Sequence, residues 1–222
     1  MADSGSVSDR RDRLLAARLY LVCDARPDDF LDQALRGGVD IVQLRMKGAP
    51  DGDIAAAAER FARRCSEHDA LFVLNDRADL AAEVGADGVH IGQDDGLVAT
   101  ARELIGPDRL LGLSTHTPAQ LDAAEGVDYI GVGPVHETPT KPGRPAVGLE
   151  LVAYAAAHAR VPFFAIGGID AAGAAAVRAV GGRRIAVVRA LTEAADPVRA
   201  ARALRGAIET GARVSEAGVG AA

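Results

Sequence analysis

From Arg18 onward, short aliphatic and β-branched runs alternate with Ala-rich stretches whose apolar positions recur at helical spacing. That alternation predicts repeated βα units and a parallel sheet. Strands are predicted near 19–24 (LYLVCD), 39–45 (VDIVQLR), 71–75 (LFVLN), 87–91 (DGVHI), 109–114 (RLLGLS), 128–132 (DYIGV), 162–166 (PFFAI) and 184–189 (RIAVVR). Helices are predicted near 28–37, 51–68, 77–84, 96–105, 117–125, 149–158, 171–180 and 196–208. A similar phrase follows three of them: GGVD at Gly37, GADG at Gly85 and GVD at Gly126. A glycine that ends a helix in the left-handed conformation, with a strand following at once, accounts for each. Eight units over about 190 residues predict a compact single-domain (β/α)8 TIM barrel. Its expected extent is 14–210, with a flexible segment at 1–13 and a small-residue tail at 211–222. A doubly wound open sheet is the alternative, but no GxGxxG follows the first strand. In a barrel, chemistry belongs at the C-terminal ends of the strands.

Composition adjusts this picture in a few places. An aromatic fraction of 4% with no Trp, beside abundant Ala and Gly, points to close helix packing rather than a sandwich core. A net charge of −6 argues against nucleic-acid or membrane partners, so a site for an anionic small molecule must concentrate positive charge locally. Cys23 and Cys65 are far apart and lack metal-ligand spacing, which assigns them to core packing. Residues 1–12 contain no apolar signal core and no run has the length of a membrane span, so a cytoplasmic location is expected. Homo-oligomerisation is left open.

Of 25 basic side chains only Lys47 and Lys141 are lysine. Where arginine does nearly every other cationic job, a retained lysine marks a need for a compact ammonium, and phosphate coordination is one such use. Gln43, Arg45 and Lys47 alternate with Val42, Leu44 and Met46 along the second strand, so the polar set faces the barrel mouth. Such a set needs an anion or a salt-bridge cluster as partner. Asn75-Asp76 ends the third strand and Gln93-Asp94-Asp95 follows the fourth. Two carboxylates at one rim suit Mg²⁺, yet Asp76 and Asp95 each precede a helix and would serve equally as N-caps. His90 reads first as a satisfied core histidine, with an inward polar group as the alternative. Gly112 and Ser114 share a face of the fifth strand, the glycine leaving room below the hydroxyl, whereas Thr117-Pro118 reads as a helix cap. The long connection 134–143 after the sixth strand carries Lys141 where a barrel enzyme places a lid. Gly167-Gly168 and the end of the eighth strand occupy the usual phosphate-binding position of (β/α)8 enzymes.

Taken together, QLRMK, LND, GVHIGQDD, GLSTHT, GVGPV…TPTK and AIGGI resemble the thiamine-phosphate synthase family over about Leu19 to Leu191. The motifs are individually modest and jointly specific. The resemblance implies a (β/α)8 transferase of thiamine biosynthesis. It would join a hydroxymethylpyrimidine diphosphate to a thiazole phosphate, or its carboxylated form, and release pyrophosphate. Carried over by position, Gln43, Arg45, Lys47 and Asn75 would hold the pyrimidine diphosphate, and Asp76 and Asp95 would bind Mg²⁺. Ser114 and Lys141 would contact the departing diphosphate, making these two and Lys47 the catalytic candidates. Thr138, Pro139, Thr140, Gly168 and the backbone of Val188 and Arg189 would hold the thiazole phosphate. The chain departs from the family pattern at GGRRI, where GADGV is common, and in placing Arg189 at the end of the eighth strand. The alternatives are a thiazole tautomerase-like isomerase, whose catalytic histidine falls where this chain has Pro134, and a non-catalytic phosphate-binding paralogue.

Overall fold

A computed structural model describes residues 7–137 and 145–210; the assignments made above on 1–6, 138–144 and 211–222 lie outside the described residues. Eight parallel strands close into one barrel in chain order. They are β1 (Leu19–Cys23), β2 (Ile41–Leu44), β3 (Leu71–Asn75), β4 (Gly88–Ile91), β5 (Leu110–Thr115), β6 (Tyr129–Val132), β7 (Phe163–Ile166) and β8 (Ile185–Val187). The helices are α1 (Val7–Ala16), α2 (Asp28–Arg36), α3 (Asp51–Glu67), α4 (Val98–Ile105), α5 (Pro118–Asp122), α6 (Gly148–His158), α7 (Ala171–Ala179), α8 (Arg189–Thr192) and α9 (Pro197–Thr210). Among the described residues, no helix is long and apolar enough to cross a membrane.

Strand alternation divides the core in two. Val42, Leu44, Phe72, Leu74, Val89 and Ile91 face outward with the buried sides of the helices. Tyr20, Val22, Val73, Tyr129, Phe164 and Ala186 fill the barrel interior. The parity read for β2 is therefore observed: Val42 and Leu44 meet the helix layer and Met46 packs against it, leaving Gln43 to the inside. Three of the aromatics meet on the barrel axis, where Phe164 meets Tyr20 edge-on at 5.3 Å and Tyr129 at 5.8 Å. Cys23 and Cys65 are buried and unpaired with each other, as core residues.

The N-terminal floor of the barrel explains the repeated glycine-aspartate phrase. Asp40, Asp87 and Asp128 stand just ahead of β2, β4 and β6. Each accepts a backbone N–H from the preceding strand, at Leu19, Phe72 and Leu111, every time at 2.9 Å. Each carboxylate is also met by arginine, Asp40 by Arg205, Asp87 by Arg10, and Asp128 by Arg11 and Arg102. The phrase thus recurs where β2, β4 and β6 each start by supplying an acceptor for a neighbouring strand's amide. In the fourth repeat the same position, ahead of β8, holds Arg184, which donates to the Leu15 carbonyl instead. The departure GGRRI is a break in this floor pattern.

Three expectations change. Gly85 and Gly126 do take left-handed φ values of 69° and 73°, but in the first phrase it is Gly38, at 102°, that turns, while Gly37 remains helical at −74°. Gly37 is glycine for another reason: a Cβ there would lie 2.5 Å from Ala201 Cβ of α9. The segment 77–84 forms turns rather than an α-helix, with Val84 N to Leu80 O its one helical backbone bond. It starts from a left-handed Asp76 and must reach β4 within a dozen residues, too short a path for a docked helix. Finally, α1 lies over part of the segment assigned to 1–13 as flexible; its Leu14 and Ala17 just beyond it close the floor of the interior core.

Candidate active site

The C-terminal mouth of the barrel opens into a cavity of about 340 Å³, within the range of small-ligand sites. Its walls bring together Gln43, Arg45 and Lys47 from β2 and its exit, Asn75 and Asp76 from β3, Asp95 after β4, and Ser114 from β5. Gly168, Val188 and Arg189 line the opposite side. Thr138, Pro139, Thr140 and Lys141 lie outside the described residues.

Lys47 Nζ sits 3.2 Å from Asp76 Oδ2 and 4.0 Å from Asp95 Oδ1, so ammonium and both carboxylates converge. Neither aspartate is a helix cap. Asp76 leads into turns at a left-handed φ of 62°, and α4 is preceded by Leu97 at its cap position. Asp95 Oδ2 accepts the Gly92 N–H at 2.9 Å, which folds the loop after β4 back on itself. Gln93 Nε2 then ties that loop to the Ser114 carbonyl at 2.7 Å.

Burial holds the Asp76 carboxyl above its ordinary value; the hydrogen bond from Lys47 opposes this and the Asp95 charge adds to it. The folded state therefore binds this proton more tightly than the unfolded chain, so the group's contribution to stability is full below the unfolded value and is lost as pH rises through the folded one. Ionising Asp76 therefore works against the fold. Asp76→Asn is accordingly expected to raise the urea midpoint of the metal-free protein at pH 7 while abolishing turnover. Asparagine also tolerates the left-handed backbone there. A lowered midpoint would show that the Lys47 pair outweighs the burial cost.

With both carboxylates ionised, Lys47 balances only one of them and the negative cluster repels a polyphosphate. A divalent cation would reverse that sign. Mg²⁺ takes one or two protein carboxylates and completes its shell with water and phosphate, so Asp76 and Asp95 are the groups here that could hold it; among the described residues no group of three or more His, Cys, Asp or Glu is placed to hold a metal.

On the other wall, Gly167 and Gly168 both have positive φ, 112° and 63°. A Cβ on Gly167 would lie 2.6 Å from Pro134 Cα, and one on Gly168 would lie 2.9 Å from His136 Cβ. The loop after β7 thus packs on the segment after β6 with backbone alone. Arg189 does not end a strand: β8 stops at Val187 and Arg189 opens α8, its side chain exposed. Thr117 caps α5 through Gln120 N, as expected from Thr-Pro.

Sequence reasoning missed Tyr20 and Tyr129, and placed His90 in the core. All three line the cavity. His90 is both satisfied and inward, with Nε2 2.9 Å from Ser114 Oγ and Nδ1 3.3 Å from the Tyr129 hydroxyl. Strand parity held the missing signal, since Tyr20 lies between outward-facing Leu19 and Leu21.

Residues 19–191 match the model of the family described as thiamine monophosphate synthase, a span that includes every residue lining this cavity except Glu193. The chain belongs to that family. A thiamine-phosphate synthase from Thermobifida fusca (strain YX) is 53% identical over 205 positions, covering 88% of this chain and 94% of the relative. One from Arthrobacter sp. (strain FB24) is 48% identical over 233 positions, covering 90% and 97%. Among solved structures, thiamine phosphate pyrophosphorylase from Pyrococcus furiosus superposes with a TM-score of 0.80 at 32% identity, over 89% of this chain and 96% of that one. Thiamine-phosphate synthesis is therefore the activity of this family member, and the transferase, rather than the isomerase or the silent paralogue, is the reading that stands.

Proposed function

We propose that the cavity forms thiamine phosphate by dissociative substitution at the pyrimidine methylene, with pyrophosphate as leaving group. The observation that carries this reading is the convergence of Lys47, Asp76 and Asp95 beside Ser114 in one pocket whose far wall is a glycine loop. The C–O bond to the diphosphate breaks with its electron pair passing to oxygen, leaving a cation stabilised by the electron-rich aminopyrimidine. The thiazole nitrogen then donates its lone pair to the methylene carbon. No proton needs to move and no enzyme nucleophile is required.

What the protein must supply is stabilisation of charge growing on the leaving oxygens. Lys47 offers a point charge, Ser114 a hydroxyl donor, and Lys141 a second ammonium. Asp76 and Asp95 would hold Mg²⁺, which when bound would neutralise the diphosphate. Gln43, Arg45 and Asn75 orient the pyrimidine diphosphate. Gly168, with the amides around Val188 and Arg189, accepts the thiazole phosphate, and the family resemblance assigns Thr138, Pro139 and Thr140 of the 134–143 connection to the same phosphate. Pro139, lacking an N–H, contributes a carbonyl or packing. Closure of that connection would keep water from trapping the cation. The substrates are small molecules.

Purified protein given Mg²⁺, the pyrimidine diphosphate and the thiazole phosphate is expected to release pyrophosphate and form thiamine phosphate in equal amounts, and to stop in EDTA. Folded protein that yields no product above an enzyme-free control would reject this function.

A further inference from the structure

Side chains from β2, β1, β6, β4 and β5 form one unbroken hydrogen-bonded chain across the barrel. Gln43 Nε2 donates to the Tyr20 hydroxyl at 2.7 Å, and the Tyr20 and Tyr129 hydroxyls lie 3.0 Å apart. The Tyr129 hydroxyl then meets His90 Nδ1 at 3.3 Å, and His90 Nε2 meets Ser114 Oγ at 2.9 Å. The sequence separations are long, 109 residues between the tyrosines alone. Both ends, Gln43 and Ser114, line the cavity.

The chain has been given room. A Cβ on Gly112 would fall 2.2 Å from Tyr129 Cζ and 2.6 Å from His90 Nδ1, and one on Gly131 would fall 3.4 Å from His90 Cε1. The inward glycines of β5 and β6 are thus the space in which the Tyr129 and His90 rings meet. Gln43, Tyr20, Tyr129 and Ser114 are all at most 9% exposed, and only His90 is partly exposed, at the cavity. Burial pushes both phenols well above the ordinary tyrosine range, so each keeps its proton.

While its imidazole is neutral, a chain built of hydroxyls and one histidine can point its protons only one way at a time, because each of these members then has a single proton to give. In one arrangement the Gln43 amide donates to Tyr20, Tyr20 to Tyr129, and Tyr129 to His90 Nδ1. His90 Nε2–H then donates to Ser114. Gln43 is left presenting its carbonyl to the cavity, and Ser114 its O–H. In the reverse arrangement Gln43 presents its amide protons and Ser114 only lone pairs. The two ends are therefore not independent.

We propose that this chain couples the two ends of the pyrimidine diphosphate site: an exocyclic amino donor at Gln43 selects the arrangement in which Ser114 donates its proton to the departing diphosphate. Tyr20, Tyr129 and His90 are positioning residues that act through Gln43 and Ser114. A pyrimidine bearing an acceptor instead of the amine selects the reverse arrangement and turns Ser114 away from its task, so the chain also sets specificity for aminopyrimidines. The inference rests on the assignment of Gln43 and Ser114 to opposite ends of one substrate.

Tyr129→Phe tests it, since the ring keeps its edge-on contacts while both of its links are lost. The expected result is a fall in kcat of about 10-fold, the scale of one buried hydrogen bond, with KM for the pyrimidine diphosphate within about twofold of the parent. Tyr20→Phe, which breaks the chain nearer Gln43, gives the same split and guards against a folding defect peculiar to Tyr129. A second readout needs no turnover: with ¹⁵N-labelled histidine, the aminopyrimidine alcohol lacking diphosphate shifts His90 toward the Nε2–H tautomer in the parent protein. It binds Tyr129→Phe without that shift. An unchanged His90 tautomer in the parent, or full kcat in both phenylalanine variants, overturns the coupling. If Gln43→Ala and Ser114→Ala themselves turn over normally, it is the underlying site assignment that has failed, and the coupling falls with it.

Discussion

Asp95→Ala is expected to lower kcat/KM by at least about 10³-fold at saturating Mg²⁺, the scale associated with losing metal-assisted charge stabilisation. Only Asp76 would remain to hold the cation against water. The loss is expected to be chemical rather than structural. Asp95 is a partly exposed loop residue that accepts the Gly92 N–H, and it lies outside every strand and helix. The thermal midpoint should therefore move by no more than about 5 °C, as for a change of roughly 1 kcal/mol or less. A parallel Mg²⁺ titration separates the causes: a lost metal ligand raises the Mg²⁺ concentration needed for half activity, whereas a misfolded loop leaves that requirement alone. Near-normal activity with an unchanged Mg²⁺ requirement would remove Asp95 from the metal site.

Lys47→Ala is expected to cost about 10² to 10³-fold in kcat, typical of removing one preorganised group that faces developing negative charge. The ammonium is half exposed at the mouth and contacts Asp76 and Asp95 in the substrate-free protein, so it is available for a diphosphate entering between them. Lys47→Arg should rescue poorly, because a planar fork does not replace a compact ammonium on this short approach. The stability effects should oppose those of Asp76→Asn: without Lys47 the two carboxylates face each other uncompensated, and the metal-free protein loses stability at neutral pH. Mg²⁺ should restore part of that loss by mass action. Rapid turnover by Lys47→Ala would mean that the leaving group is stabilised elsewhere.

The fold was legible because each strand announces itself by composition; β3 matches its expected bounds and the other strands fall within one residue of theirs, apart from β2, which starts two residues late, and β8, which stops two residues early. The site was legible for the same reason, since parity on β2 separates Gln43, Arg45 and Lys47 from Val42 and Leu44. What was hidden is long-range. No local pattern shows that the Asp of GGVD serves a neighbouring strand's amide, or that residues 77–84, periodic enough for a helix, are too short a bridge to dock as one. Nor does any short window join Tyr20 to Tyr129. Their link requires the closed barrel, which sets β1 and β6 across one interior.

The most direct test of the account is a crystal structure of the protein with thiamine phosphate, pyrophosphate and Mg²⁺. The account places pyrophosphate and metal between Lys47, Asp76, Asp95 and Ser114, the pyrimidine amine on Gln43 Oε1, and the thiazole phosphate on the backbone of Gly168, Val188 and Arg189. Pyrophosphate bound away from Lys47 and both aspartates, with those side chains free of metal, would contradict it.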